Sequence, residues 1–373
     1  MISKENQLVI GRRNALKMLG LSSAAMLAGG FNDVSAAESR DINPDPKLLI
    51  DSGRSSVAFT TGTDRQQMLF EVIKPFEQEI RAGLKGKQLI IKPNMVVTNV
   101  DLCATPLEAL RSLLEYLQPI YEKQIIIAES SSLPNSAEGF QNYGYLDLKK
   151  NYNVKFVDLN ATGSKPFYIL DKNLHLDKIQ ITDSFANPDN YIISISRLKT
   201  HNTVVMTAGV KNMCMAAPII RSTSGGNKPL NYKWNMHSGG PRFIHYNIYL
   251  MPQSVRPDFT IIDGVEGMEG NGPIGGTPVA HNIALAGQDA VAVDSMCCRL
   301  MGIPLENVGY LNYCAAGGLG NIDRERIHII GSEDPDKHMI NYKLSSNIAY
   351  QLEWKEPLNI PKPTMKPPTQ ADR

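Results

Sequence analysis

Short apolar runs that do not alternate with polar residues recur along this chain, and helical patterns separate them. Runs of this kind occupy residues 88–91, 124–128, 154–157 and 259–262. Strands that are apolar throughout are typical of parallel sheets covered on both faces by helices. We therefore predict an α/β fold with a mostly parallel sheet and helices on both faces. Its layering should be Rossmann-like, although the GxGxxG fingerprint of dinucleotide-binding proteins is absent.

Polar and charged side chains follow several of these runs, where the predicted strands end. Ligands of open parallel sheets bind outside the carboxyl ends of the strands, so we expect these side chains to share one crevice. Lysine and arginine supply positive charge and asparagine fixes orientation, which suits an anionic ligand. The alternative is that they are solvated loop residues. The predicted ligand-binding residues are Lys92, Asn94, Arg197, Lys211 and Asn212.

Three further residues near the same strand ends are candidates for catalysis. They are His201, Lys199 and Asp263. His201 is the best candidate for proton transfer, because an unperturbed histidine has a pKa of about 6.5. The alternative is a hydrogen-bonded loop histidine without a chemical role.

A glycine-rich stretch at 263–273 contains three carboxylates, Asp263, Glu266 and Glu269. Carboxylate oxygens on a flexible loop suit a divalent cation, so this stretch predicts a metal site. Its spacing is not that of an EF-hand, and a glycine-rich turn with solvated acids is the alternative.

The N-terminal residues resemble an export signal. Residues 11–17 read Gly-Arg-Arg-Asn-Ala-Leu-Lys, close to a twin-arginine motif, and a modest apolar region follows at 19–28. Small residues near Ala36 and Ala37 predict cleavage there. We expect a signal peptide at 1–37, a periplasmic location, and the twin-arginine export machinery as a partner. Retention as an uncleaved membrane anchor is the alternative.

The remaining chain divides into a linker at 38–56, an α/β domain at 57–335, and a C-terminal extension at 336–373 with a proline-rich tail. Beyond residue 37 the basic and acidic residues are nearly equal, 34 and 35, so nucleic acid is not an expected partner. No membrane span is expected in the mature chain. The five cysteines form no Cys-x-x-Cys motif, so we expect no cysteine-ligated iron–sulfur cluster.

Two local patterns predict structure around the crevice. The sequence Thr-Pro-Leu-Glu at 105–108 has the form of a capping box that begins a helix. Residues 219–243, rich in glycine, serine and asparagine, predict a long loop that can act as a lid.

Five short motifs together resemble the DUF362 family, and the similar region covers about 88–331. The motifs lie, in the family's order, at 91–94, 199–201, 209–213, 262–273 and 289–294. The resemblance implies an α/β fold but no agreed reaction. Some members carry a ferredoxin-like cysteine cluster, which this chain lacks. The Gly-Val-Lys-Asn turn is also similar to the lysine-bearing segment of nickel-pincer lactate racemases, although we do not predict that cofactor here.

The sequence thus predicts an exported protein of unknown reaction with an anion-binding crevice. It is a metal-assisted enzyme on a small phosphate-, sulfate- or carboxylate-bearing substrate or, alternatively, a non-catalytic solute-binding protein. A catalyst needs a titratable group within hydrogen-bond reach of the ligand, whereas a binding protein needs only complementarity.

Overall fold

The computed structural model describes residues 53–133, 135–221 and 228–357. The strands of this part of the chain, in order, are β1 (Ser55–Thr61), β2 (Gln88–Lys92), β3 (Ile125–Glu129), β4 (Val154–Asp158), β5 (Ser164–Leu170), β6 (Leu176–Thr182), β7 (Asn190–His201), β8 (Val205–Thr207), β9 (Ile220–Arg221), β10 (Leu230–Asn231), β11 (Phe259–Asn271), β12 (Gly275–Gly287) and β13 (Ile327–Ile330). The helices are α1 (Arg65–Ile73), α2 (Glu77–Leu84), α3 (Leu107–Leu117), α4 (Ser136–Asn142), α5 (Gly209–Ala216), α6 (Tyr232–His237), α7 (Pro241–Leu250), α8 (Ala290–Leu300), α9 (Gly309–Ala316) and α10 (Ile348–Gln351).

The central sheet runs in the order β13-β1-β12-β11-β7-β2-β3-β4, and β8 pairs with β7. The pairs β13–β1, β11–β7, β7–β2, β2–β3 and β3–β4 are parallel. Only β12 and β8 run against their neighbours in this sheet. The parallel part brings the carboxyl ends of β2, β3, β7 and β11 to one edge.

Helices cover both faces of the sheet, as alternating side chains show. Ile90 packs in the core beneath α5, α7, α8 and α9, whereas Ile91 packs against α1, α2 and α3. Ile192 and Ile193 divide in the same way. Successive side chains of a strand point to opposite faces, so a strand buried on both sides must be apolar throughout. The α/β class predicted from the sequence is confirmed.

The glycine-rich stretch predicted as a loop is instead part of a long hairpin. Strand β11 continues to Asn271, and β12 returns antiparallel to it from Gly275. A Cβ atom at Gly272 would overlap the carbonyl oxygen of Thr200, so glycine lets the hairpin approach β7 closely. The loop prediction was wrong because glycines that permit close packing look, in a sequence, like glycines that permit a turn.

The predicted capping box does not form. Helix α3 has no side-chain cap, because Thr105 is engaged elsewhere. Its Oγ1 donates to the carbonyl of Ile195 at 2.8 Å and accepts from the backbone N–H of Asn94 at 2.8 Å. Thr105 therefore ties the loop after β2 to β7, next to the predicted crevice.

The predicted long loop at 219–243 contains β9, β10, α6 and the beginning of α7 in its described residues. The side chain of Asn231 accepts from the backbone N–H of Lys233 and begins α6. Residues 222–227 of this region lie outside the described residues.

The folded unit extends past both predicted domain boundaries. Strand β1 begins at Ser55, inside the predicted linker, and the segment 336–357 packs on the core. Tyr342 bonds His281 Nδ1 at 2.9 Å, and the fully buried Gln351 accepts from the backbone N–H of Val205 at 2.6 Å. The predicted signal peptide and the proline-rich tail beyond 357 lie outside the described residues. Within the described ranges, no helix has both the length and the apolar character needed to cross a bilayer.

Candidate functional site

Lys92 ends β2 and joins three elements at the carboxyl edge of the sheet. Its Nζ donates to Glu129 Oε2 at 2.8 Å, to the carbonyl of Pro93 at 2.7 Å and to Asn212 Oδ1 at 2.6 Å. Glu129 ends β3, and Asn212 lies in the first half of α5. Both charged side chains are 2% exposed, so this is a buried and neutralised pair. Asn212 also donates to Ser194 Oγ at 2.9 Å, which fixes α5 against β7.

Lys199 lies near the end of β7 and is fully buried without an acidic hydrogen-bond partner among the described residues. Its Nζ donates to Asn94 Oδ1 and, at 3.1 Å, to the carbonyl of Cys103. Asn94 in turn donates from Nδ2 to Asn212 Oδ1 at 3.0 Å. Burial, reinforced by neighbouring cations, lowers the pKa of Lys199 to about 7.

Lys211 is the third residue of α5 and is only 7% exposed. It makes no hydrogen bond or ion pair with any residue that the structure describes. Burial, together with the charge of Lys92, lowers the pKa of Lys211 to about 7. The helix around it is held by Asp294, whose carboxylate accepts from the backbone N–H groups of Gly209 at 2.7 Å and Val210 at 3.0 Å.

Lys233 on α6 is a fourth buried lysine, and the sequence did not identify it as a site residue. Its Nζ donates to Ser130 Oγ at 2.8 Å and to the carbonyl of Met215 at 2.7 Å. Burial lowers the pKa of Lys233 to about 7, and the charges of Lys92 and Lys211 act in the same direction. The sequence does carry a signal for helix α6. Asn231 is a typical helix-capping residue, and it precedes an apolar i, i+4 pair, Tyr232 and Met236.

These four residues, Lys92, Lys199, Lys211 and Lys233, form what we call the lysine cluster. Each of the last three has its pKa lowered by the charge of at least one other member. Within the described ranges, only Lys92 has a carboxylate partner, Glu129. The site therefore holds more cationic groups than anionic ones, in surroundings that favour neutral amines.

Three histidines feel the charge of the lysine cluster, His201, His237 and His245, because Lys211 lowers the pKa of each. His201 ends β7, is buried, and accepts at Nδ1 from the backbone N–H of Thr203 at 2.9 Å. Burial and the charge of Lys211 lower the pKa of His201 far below its usual value, and the same causes lower that of His237 to about 4. Both imidazoles are neutral at pH 7, and His201, whose Nδ1 accepts from Thr203, carries its ring N–H on Nε2.

Arg197 and Asp263 lie side by side in the register of β7 and β11. Each of them nevertheless forms its ion pair with a different residue. Arg197 donates to Glu266 Oε1 at 2.6 Å and to the carbonyl of Ala104 at 2.8 Å. Asp263 pairs with Arg65 Nε of α1 at 2.8 Å. Burial raises the pKa of Asp263, and Arg65 opposes that shift. Neither side chain makes a hydrogen bond to the lysine cluster.

The three acids predicted as metal ligands do not form a metal site. Asp263 is paired with Arg65, Glu266 with Arg197, and Glu269 accepts from the backbone N–H of Lys343 at 2.8 Å. In residues 53–357, apart from the two internal gaps, no three His, Cys, Asp or Glu side chains are grouped so that they could hold a metal ion. The predicted metal site assumed a tight loop, which would have gathered the three carboxylates. They lie instead along an extended hairpin, whose backbone separates them.

The hairpin nevertheless lies beside the end of β7, as the shared strand edge predicted. Met268 pairs with Lys199, and Thr200 Oγ1 donates to the carbonyl of Gly270 at 2.9 Å. Cys103 Sγ lies 3.1 Å from the carbonyl oxygen of Pro273. The hairpin therefore runs alongside the end of β7 that carries Lys199.

Comparisons with known proteins place the chain in a family. A family model described as "Domain of unknown function (DUF362)" matches residues 89–299. The chain is 26% identical over 217 residues to "Thylakoid-associated protein sll1697" of Synechocystis sp., a match that covers 56% of this chain and 61% of that protein. The chain thus matches less than two thirds of the length of this curated relative.

Solved structures resemble the chain in part. A Thermotoga maritima protein has a TM-score of 0.38 and 10% identity, covering 61% of this chain and 59% of its own. The lactate racemase apoprotein from Thermoanaerobacterium thermosaccharolyticum has a TM-score of 0.38 and 14% identity, covering 68% of this chain and 58% of its own. Neither similarity supports an argument about activity.

Proposed function

The chain belongs to the DUF362 family, a domain of unknown function, and we propose that in this member the lysine cluster binds a small molecule bearing a phosphate, sulfate or carboxylate group. The observation that carries the proposal is the set of three buried lysines, Lys199, Lys211 and Lys233, without a carboxylate partner among the described residues. Most side chains of the proposed site come from two parts of the chain, 88–133 and 190–237.

A buried cation without a counter-ion is costly, and a protein usually avoids it by pairing the charge or releasing the proton. Here the lysines approach neutrality instead, with pKa values of about 7. An anion in the cluster would supply the missing charge and would favour the protonated lysines. Asn94 and Asn212 fix the orientation of Lys92 and Lys199, so the cluster is preorganised for a ligand.

Such a site can serve either of two functions. The protein can catalyse a reaction of the bound anion, or it can bind the anion without transforming it. The neutral imidazoles of His201 and His237 favour catalysis, because a neutral ring beside the cluster can donate an N–H to a reacting ligand. Capture needs only the cations. A variant His201→Gln that binds the ligand but no longer transforms it would support catalysis, and a wild-type protein that binds without transforming any tested anion would support capture.

Calorimetric titration with phosphate, sulfate and small carboxylates tests the proposal. We expect at least one of these anions to bind, and binding to tighten as the pH falls towards 6, because the lysines gain protons. Lys211→Met should weaken binding roughly ten- to hundredfold, as expected for the loss of a charged contact. The matched control is Lys178→Met, since Lys178 is an exposed lysine on β6. Equal affinities of the wild type and both variants would refute the proposal.

We also propose that the protein is exported, with the twin-arginine machinery as its partner. The support is the motif at 11–17, which lies outside the described residues. Changing Arg12 and Arg13 together to lysine should leave the protein in the cytoplasm. Normal delivery of that variant to the periplasm would refute this reading.

A further inference from the structure

The four lysines of the cluster differ in how their amines are held. Lys92 makes three hydrogen bonds, and Lys199 and Lys233 make two each. All of these bonds use N–H donors and fix the amine against oxygen acceptors. Lys211 has no hydrogen bond to the described residues, so its amine is not restrained in this way. Lys211 is therefore the member of the cluster whose nitrogen is best placed to react.

We propose that Lys211 is a nucleophile that forms an imine with the carbonyl carbon of a small oxo acid. Lys199 and Lys233 hold its carboxylate, because each uses only two of its three N–H donors on the described residues. This inference rests on the proposed anion-binding function and adds a substrate class and a covalent step to it. The cations supply the recognition of the carboxylate, and the unrestrained amine supplies the reaction.

The surroundings of Lys211 meet the requirements of an amine nucleophile. An amine must be neutral to attack a carbonyl, and desolvation beside other cations is a recognised way to achieve this near pH 7. Lys211 is 7% exposed, and the positive charge of Lys92 acts on it directly. Asp294 does not neutralise its ammonium, because the Asp294 oxygens accept from the backbone N–H groups of Gly209 and Val210.

The step balances without an oxidant or a reductant. The Nζ lone pair attacks the carbonyl carbon, a C–N bond forms, and the former carbonyl oxygen takes a proton to give a carbinolamine. Loss of that oxygen as water then breaks the C–O bond and leaves the imine. Water supplies and removes the protons of these steps. Hydrolysis reverses the sequence and restores the lysine.

Reductive trapping tests the inference on the full-length protein. The protein is incubated with pyruvate and cyanoborohydride near neutral pH, and its peptides are mapped by mass spectrometry. We expect one reduced adduct per chain, on the peptide that contains Lys211. Acetone, a ketone without a carboxylate, should give much less adduct at this position. Adducts spread over exposed lysines, with none at Lys211, would overturn the inference.

Two variants separate a chemical role from a binding role. Lys211→Arg keeps the positive charge but cannot form an imine, so the specific adduct should disappear while pyruvate still raises the melting temperature. Lys178→Arg should leave the Lys211 adduct intact, since Lys178 is exposed on β6. Stabilisation of the wild type by pyruvate without any adduct at Lys211 would refute the imine and leave the anion site standing. If no tested anion stabilises the protein and no adduct forms, both the imine and the anion site are refuted.

Discussion

At the scale of single residues, the partner of each lysine decides what it can do. Lys92 has a carboxylate 2.8 Å away and three acceptors in all, so it is a buried structural ion pair that also orients Asn212. Breaking such a pair would leave an uncompensated charge. Lys211 has no such partner among the described residues, so its removal leaves no described side chain without its counter-ion. The same residue type thus serves the fold at Lys92 and, in the proposed function, a ligand at Lys211.

Lys211→Met should raise the free energy of unfolding below pH 7 and change it little above about pH 10. Folding lowers the pKa of Lys211 from 10.5 to about 7, so between these values the folded chain holds fewer protons than the unfolded chain. Stability of the wild type therefore rises with pH across this window, by up to about 1.4 kcal/mol per pH unit, and is lowest below it. Methionine removes this dependence.

Urea unfolding at about pH 6, 8 and 10, in buffers free of phosphate and sulfate, measures the difference between the two proteins. Lys178→Met, at an exposed position, is the control for the loss of a charge. A difference between Lys211→Met and the wild type that does not change with pH would show that the buried ammonium carries no such cost.

At the scale of elements, α5 is positioned by groups outside itself. Asp294, in the middle of α8, accepts from the first two backbone N–H groups of α5. A Cβ atom at Gly209 would overlap Thr260 Cγ2, so only glycine lets α5 begin this close to β11. Asn212 then bonds Lys92 and Ser194 from the same helix. Helix α5 is thereby fixed between α8 and the ends of β2 and β7.

Asp294→Ala should lower the free energy of unfolding by about 1–3 kcal/mol, because it leaves two buried backbone N–H groups without acceptors. Burial raises the pKa of Asp294 to about 8, and its hydrogen bonds oppose that shift. The control is Asp294→Asn, whose amide oxygen can still accept one of the two N–H groups. Denaturant unfolding of both variants gives the comparison, and equal stabilities of Asp294→Ala and the wild type would contradict this role.

At the scale of the whole molecule, the segment 336–357 closes over the end of β7. Val205 has φ of +68°, a conformation that is unfavourable for a β-branched residue. Its backbone N–H donates to the fully buried Gln351 of α10, 146 residues away in the chain. Strain of this kind persists only where the surrounding structure holds it. The C-terminal segment is therefore part of the fold that presents the site.

Gln351→Ala should lower the free energy of unfolding by about 1–3 kcal/mol, because the buried N–H of Val205 loses its acceptor. We expect weaker anion binding as well, since Val205 begins the strand that leads into α5. Glu353→Ala is the matched control, as Glu353 is exposed in the same segment. Thermal melting and the anion titration on both variants measure the two effects. A Gln351→Ala protein with unchanged melting temperature would exclude a structural role for this contact.

Much of the arrangement of the sheet was predictable, because it depends on local patterns. Strands buried on both faces must be apolar throughout, and the residues after them leave the core at a common edge. That reasoning led to Lys92, Asn94, Lys199, Lys211 and Asn212, which the structure brings together. Lys233 was missed because its helix lies in a stretch whose composition is typical of a loop.

The sequence by itself determined the apolar runs that form the parallel strands β2, β3, β4 and the start of β11, and which polar residues follow them, since these depend on the spacing of side chains along the chain. Only the tertiary structure decided which charges are paired, because a partner can lie anywhere in the sequence. Glu129 meets Lys92, Arg65 meets Asp263, and Glu266 meets Arg197. Those distant pairings engaged two acids of the predicted metal site, Asp263 and Glu266, and left Lys211 without a counter-ion among the described residues, which is the basis of the function proposed above.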